Sequence, residues 1–302
     1  MMSIDTSASG LLASDTEDEL IPTGTGRRSR PPTVAIASCL ILAVIALLAA
    51  AAPVIAPHDI ADQSLLSRLR PPAFAGGTTE YILGADHLGR DVLSRLLFAT
   101  QTTLLIAGAG VIIGVITGTL SGLISGSVGG WIDHCFMAVV DAQASVPVTL
   151  VALTAVALIG TNPLVLVLIV GFSDYYKYAR VVRGQVHTLR GRSFIEAARS
   201  SGASPWRIAI RHVLPNTLSP VIVLASLSFA EIVVLESSLS FLGVGVQPPN
   251  VSLGSLLGES RNYLITTPWL AILPCVVIVA ITLAASMVGD WLRDTLDPRS
   301  RA

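Results

Sequence analysis

The groups with chemistry to do in this chain are acids set among apolar residues. Asp133, Asp141, Asp174, Glu231 and Glu236 lie in or beside long runs of Leu, Val, Ile and Ala. A charge at membrane depth is costly, and such side chains face a bundle interior or a water-filled route. Glu231 and Glu236 are five residues apart, about 140° around a helix. One can therefore line a pathway while the other meets a neighbouring subunit. Glu236 is expected at a central pathway near its outer end, with Glu231 and Asp141 as further pathway-lining candidates. Asp141 precedes Pro147 and has helix packing as its alternative. Asp174 is three residues from Lys177 and is expected to pair with it.

Catalytic sets are not spaced into the chain. Lys177 is the single lysine and sits in Tyr-Lys-Tyr, not in the Gly-Lys-Ser/Thr that cradles phosphates. His58, His87, His134, His187 and His212 are isolated from one another in sequence. Cys39, Cys135 and Cys275 are far apart, with no C-x-x-C, and read as small apolar residues in helices rather than a disulfide or zinc framework. No catalytic residue, metal ligand or cofactor is expected in this chain.

A second informative stretch is SFIEAARSSGASPWRIAIRHVLPN, residues 193–216. Ser193 with Glu196 three residues on reads as a capping box, so a helix is expected to start at Phe194. Gly202 supplies a left-handed stop. Ser204 then caps a second helix with Pro205 in its first turn, and Leu214-Pro215 is expected to end it. Two short helices with a defined turn, showing Phe194, Ile195, Ala197, Ala198, Trp206 and Ile208 among arginines, read as a docking element for another protein. Two other readings are a helix–turn–helix on DNA, crowded by the adjacent span, and a pair of helices lying on the bilayer.

The elements that must position these groups are membrane helices. Of 302 residues, 52% are hydrophobic and 13% charged, with net charge -1. A soluble domain carries about twice that share of charge, and the bulk charge implies no nucleic-acid partner. Six apolar segments, about 33–56, 102–126, 136–160, 162–182, 216–238 and 268–290, are each long enough or nearly so for the roughly 20 residues of a span. Pro147 and Pro274 are expected as tolerated kinks inside spans. Gly110, Gly114, Gly118, Gly122 and Gly126 put a glycine on one helix face at every fourth residue, so a second helix can approach closely or slide. Residues 89–100 read as a short helix in the interface, with Arg90, Asp91, Ser94 and Arg95 on its polar face and Asp91 paired to Arg95.

Lys and Arg set the orientation. Three lie in the N-terminal tail, eight between the fourth and fifth segments and three in the C-terminal tail, fourteen of nineteen in all. Six spans put these regions on one side, the cytoplasm. The layout is a disordered cytoplasmic tail over 1–32, a six-helix domain over 33–291 and a cytoplasmic tail over 292–302. An extracytoplasmic loop at 57–101 and a cytoplasmic loop at 184–215 belong to the six-helix domain. The first apolar run is read as an uncleaved span, not a signal peptide.

Glu196-Ala197-Ala198, Gly202 six residues after the Glu, and Leu214-Pro215 resemble the EAA signature of ABC importer permeases. His212 departs from the general signature, but His212-Val213-Leu214-Pro215-Asn216 fits the dipeptide/oligopeptide branch. LGADHLGRDVLSRLL (83–97), ARVVRGQV (179–186), LSFLGVGVQPP (239–249) and GDWLRDTLDPR (289–299) resemble the second permease subunit of dipeptide/oligopeptide/nickel importers. The resemblance covers about 33–299. It implies an all-α, type I ABC importer permease fold in the bacterial inner membrane. It also implies a homologous second permease, two ABC ATPase subunits carrying ATP and Mg, and an extracytoplasmic solute-binding protein. Glu196, Ala197, Ala198 and Gly202 become the ATPase-docking set, the coupling helix. Peptide import is the leading reading and nickel or glutathione import the alternative. A secondary transporter would show an inverted repeat with matched broken helices, which the sequence lacks. A plain structural anchor leaves the paired-helix loop unexplained.

Overall fold

The computed structural model describes residues 32–296. The two expected tails, apart from Pro32 and residues 292–296, lie outside the described residues. The described chain is helical, without strands; its only β-type pairing is an isolated bridge between Ala85 and Asp91.

Long apolar runs become long helices because a helix satisfies all its backbone hydrogen bonds within one segment, as lipid requires. Helix α1 spans Pro32–Ala50 and is followed by the short α2, Ala52–Ile55. Residues 56–91 form an irregular segment with two 3₁₀ turns, tied together where Leu69 N–H bonds Asp86 O at 3.0 Å and Ala85 N–H bonds Arg70 O at 3.0 Å. Helix α3, Val92–Val128, is 37 residues long. At 1.5 Å per residue that is about 55 Å, well beyond a hydrocarbon core of about 30 Å. The expected separate helix at 89–100 does not form: residues 92–100 are the first turns of α3. The polar face expected at a surface is also inside, with Asp91, Ser94 and Arg95 all buried.

Helices α4, Gly130–Ala144, and α5, Val148–Ile159, meet at 87°. Pro147 does not kink a continuous span, as expected, but breaks it. It has no N–H to donate to the preceding turn and becomes the N-cap of α5. Helices α6, Pro163–Ser173, and α7, Tyr175–Arg190, divide the next expected span at Asp174. Among the described residues, four continuous helices are long and apolar enough to span, or five with the bent pair, so not every one of the six expected spans is a single continuous helix.

Packing supplies the rest of the path. The glycine face of α3 lies against α6 and α7 in rising register, Gly110 at Val170, Gly114 at Gly171 and Tyr178, Gly122 at Ala179 and Val182, and Gly126 at Val186. The two stretches thus run parallel, and α4 and α5 carry the chain back between them. At Gly118 an added Cβ would meet the Tyr175 carbonyl and come within 2.6 Å of Tyr178 Cβ. The ladder lets the two backbones touch.

After α7 come α8, Ser193–Ser200, and α9, Pro205–Ile208. A π-turn over Ala209–Val213 leads into α10, Leu214–Phe241. Leu214-Pro215 does not end a helix; it opens α10. Proline is tolerated in a first turn, and the π-turn before it absorbs the change in register. Helix α11, Leu253–Ser260, folds back beside α10, and α12, Trp269–Leu296, packs on α1, α10 and α11. Pro274 lies inside α12 as expected. One core joins α3, α6, α10, α11 and α12 around Ile106, Val170, Ile232, Leu239, Leu253 and Ile281. A second, at the arginine-rich end, joins α3 and α7 to the α8–α9 loop.

Candidate coupling surface and pathway cavity

The α8–α9 loop is built, not loose. Ile195 on α8 and Ile208 at the end of α9 are buried with Ala209, Tyr178, Val182, Val186 and Val213. Burying an Ile side chain stabilises by about 1.5–3 kcal/mol, enough to hold two turns of helix that would not persist alone. Helix α8 ends in a Schellman motif. Gly202 N–H bonds Arg199 O at 3.0 Å and Ala203 N–H bonds Ala198 O at 3.1 Å, with Gly202 at φ +80°. Ser204 caps α9 by accepting from Arg207 N–H at 3.3 Å, with Pro205 in its first turn as expected. The capping box on α8 does not form: Arg192 is the N-cap, without a side-chain cap, and Ser193 is already helical.

The loop turns a mixed face outward. Phe194, Trp206 and Ile210 are 44%, 56% and 45% exposed, beside exposed Glu196 and Ala197. Ala198 is half-buried against the loop's own core, where a longer side chain would lift α8. Phe194 lies 6.4 Å from the His212 ring.

Helix α7 connects this loop to the bundle through its basic side chains. Arg183 makes a two-pronged contact to Asp133 on α4, both bonds 2.6 Å, and Ser125 on α3 donates to the same carboxylate. Arg180 reaches Asp141 at 2.7 Å, an exposed pair of the kind worth about 0–1 kcal/mol. Arg190 donates to the Ser127 carbonyl. Lys177 pairs with Asp174 at 2.9 Å, as expected, and also with Glu231 on α10.

A cavity of about 670 Å³ opens between the α4–α5 break, α6 and α10, with Gln143, Phe172, Asp174, Tyr176, Glu231 and Leu235 on its wall. Glu231 lies on the wall of this cavity. Asp141 lies outside the cavity wall, in its pair with Arg180. Glu236 does not reach the cavity. It is 0% exposed and turned into the subunit, where Thr103 Oγ1 donates to it at 3.1 Å and Ser240 Oγ at 2.7 Å. Thr103 in turn accepts from Leu253 N–H at 3.1 Å, so this knot joins α3, α10 and α11. In this conformation Glu236 lines no pathway.

At the opposite end from α8–α9, the structure assembles a cluster that sequence spacing did not reveal. Arg95 donates to Asp86 at 2.5 Å and to Glu259 at 2.8 and 2.9 Å. Arg90 donates to Asp86 at 2.7 Å and Glu259 at 2.8 Å. Asp91, expected as the partner of Arg95, instead caps α3 by accepting from Ser94 N–H at 2.8 Å. Burial pushes the Asp86 carboxyl up, but Arg95 and Arg90 outweigh it and hold it below the usual carboxylate range. Burial likewise opposes, and the Arg95 hydrogen bonds and charge reverse, the shift of Glu259, which ends below its ordinary value. Asp86, His87 and Glu259 bring three ligand atoms within 4.8 Å of one another. Two guanidinium groups already hold both carboxylates, so a divalent cation there would face two positive charges.

The described chain is thus a helical membrane bundle with a cored, outward-facing loop at its basic end and a largely apolar cavity between α4–α5, α6 and α10. A profile described as "Binding-protein-dependent transport system inner membrane component" matches residues 110–302. Another, described as "N-terminal TM domain of oligopeptide transport permease C", matches residues 27–72. The chain is similar to the glutathione transport system permease protein GsiD of Pectobacterium atrosepticum, 35% identical over 91% of this chain and 90% of that protein. It is 38% identical to the protein of the same name from Shigella flexneri, over 90% of this chain and 89% of that one. The chain belongs to the inner-membrane permeases of binding-protein-dependent ABC importers. It is thus a multi-pass inner-membrane transport component of a family that works with a further permease, an ATPase and a binding protein in general terms.

Proposed function

We propose that this chain is one of two homologous permeases of a peptide-class ABC importer, and that the α8–α9 loop is the surface on which one of two ATPase subunits pushes. The observation that carries the reading is a rigid, cored loop presenting Phe194, Trp206 and Ile210 to solvent at its basic end. A loop meant only to connect spans has no need of an Ile195–Ile208 core. Glu196, Ala197, Ala198 and Gly202 form the docking set: two small residues for close approach, a glycine turn and an exposed carboxylate for a basic partner.

ATP and Mg belong on the partner chains. Six crossings by α1, α3, α4–α5, α6–α7, α10 and α12 agree with α3 running parallel to α6–α7. With the basic loop on the cytoplasmic side, both tails are cytoplasmic. The solute is a di- or oligopeptide or glutathione, itself a tripeptide and the solute in the relatives' names. Nickel is the weaker reading, since neither His nor Cys lines the cavity.

The test is recovery of the chain with everything that co-purifies from a mild detergent extract. A second permease and an ATPase are expected, with the ATPase lost on Ala198→Arg. Recovery of a homo-oligomer indifferent to that substitution would refute the reading.

A further inference from the structure

The cavity between the α4–α5 break, α6 and α10 is apolar except at one end, and that end is built from charges. Glu231 on α10 points into it with its side chain 59% exposed. Lys177 on α7 holds Glu231 through Oε2 and Asp174 through Oδ1 at 2.9 Å. Two acceptors are left over. Glu231 Oε1 takes no hydrogen bond from the described residues. Asp174 Oδ2 is buried without a partner, on a residue only 8% exposed that also lines the cavity. The set therefore carries two carboxylates against one ammonium. A buried carboxylate oxygen without a donor costs free energy, so the site is chemically incomplete as it stands.

We propose that Glu231 and Asp174 receive the primary ammonium group of the transported solute, with Lys177 as the internal cation that occupies the site when it is empty. The proposal rests on the peptide-class reading above and adds the solute group that is read and the residues that read it. Three features select an ammonium. The free acceptors are carboxylate oxygens, which take up to three N–H donors from one ammonium. Charge-assisted bonds of this kind are the strong ones. The flanking walls, Phe172 and Leu235 among them, are apolar, matching the Cα and side chain next to a peptide's amino group. A solute ammonium takes the two leftover oxygens, Glu231 Oε1 and Asp174 Oδ2, while Lys177 keeps Glu231 Oε2 and Asp174 Oδ1, so that every acceptor of the pair ends with a donor. A chloride-like or carboxylate group would find like charge here.

The test uses the complete complex in proteoliposomes with its binding protein. It is given a defined mixture of di- and tripeptides bearing neutral or lysine side chains, together with glutathione. Imported species are counted by mass spectrometry, and recovery of the assembled complex is scored for each variant. Glu231 is more than half exposed, so Glu231→Gln is expected to leave packing intact. It is expected to lower import of amine-bearing peptides about tenfold, the loss of roughly one charge-assisted contact, and to lower lysine-containing ones further. Lys177→Met frees both carboxylates and is expected to enrich lysine-containing peptides several-fold relative to neutral ones. Unchanged import rate and composition in both variants would overturn the proposal. So would an equal loss in both with no change in composition, which marks a structural ion cluster. A wild-type complex that imports no amine-bearing solute would sink the peptide-class reading itself, a result distinguishable from the other two.

Discussion

Replacing Glu259 by Gln removes one of the two carboxylates that hold Arg95. Arg95 is 2% exposed and keeps only Asp86. Losing one partner of a buried ion pair costs about 3–5 kcal/mol, because the remaining charge is left in a medium that does not solvate it. Glu259 itself is 26% exposed, which places the expected loss toward the lower end, about 3 kcal/mol. The second half of the cycle is Arg95→Met with Glu259→Leu. Removing both charges replaces the pair with apolar volume and is expected to recover most of the loss.

The same cluster makes a pH prediction. Asp86 and Glu259 both titrate below their ordinary values. Their contribution is therefore fully present above the unfolded-state carboxylate range and is lost as pH falls through the lower folded values. The stability gap between wild type and Glu259→Gln should be constant from neutral pH down to about 5 and close below about 4. The assay is thermal unfolding of detergent-purified protein across that range. A single variant as stable as wild type, a double variant no better than the single, or a gap that widens on acidification would refute the reasoning.

Other expectations follow from the packing. Gly118→Val should destabilise by about 1–3 kcal/mol or more, since its side chain would meet the Tyr175 carbonyl and the Tyr178 Cβ; the check is a melting curve beside Gly108→Ala, where an added Cβ meets nothing within 4 Å. Ile195→Ala should cost about 2–5 kcal/mol locally and loosen α8, read as faster proteolysis in the 191–213 segment with the bundle intact. Glu236→Gln should keep transport and lose about 1–3 kcal/mol, because its partners Thr103 and Ser240 are in the subunit's interior; transport lost at full stability would return Glu236 to the pathway.

Much of the architecture was legible because membrane helices announce themselves by length. The runs that became α1, α3, α10 and α12 are apolar over at least 18 residues, and no other element satisfies the backbone there. The α8–α9 loop was legible from turn chemistry alone at Gly202, Ser204 and Pro205. Its start was not: Ser193 and Glu196 have the right spacing for a capping box, but Arg192 holds the N-cap backbone geometry. The bend at Pro147 was hidden because proline is compatible with both a kink and a break, and tertiary packing decides between them. Residues 89–100 looked amphipathic, and their polar face was assigned to water. It is buried because Glu259, 164 residues beyond Arg95, returns on α11 to meet it. Contacts at that separation leave no trace in local periodicity. The interior placement of Glu236 was hidden for a related reason, since its donors come from α3 and from its own next turn.

The most direct measurement of the central claim is site-specific cross-linking between the α8–α9 loop and the ATPase. It starts from a chain with Cys39, Cys135 and Cys275 changed to Ser. Single cysteines are then introduced by Ala197→Cys on the exposed face of α8, Trp206→Cys on α9 and, as a control, Leu158→Cys near the end of α5. In the assembled complex the first two are expected to cross-link to the ATPase chain, with a yield that changes when ATP is added, and the control is not. Cross-linking at Leu158→Cys alone, or none from either loop position in a complex that still hydrolyses ATP in response to its binding protein, would contradict the account.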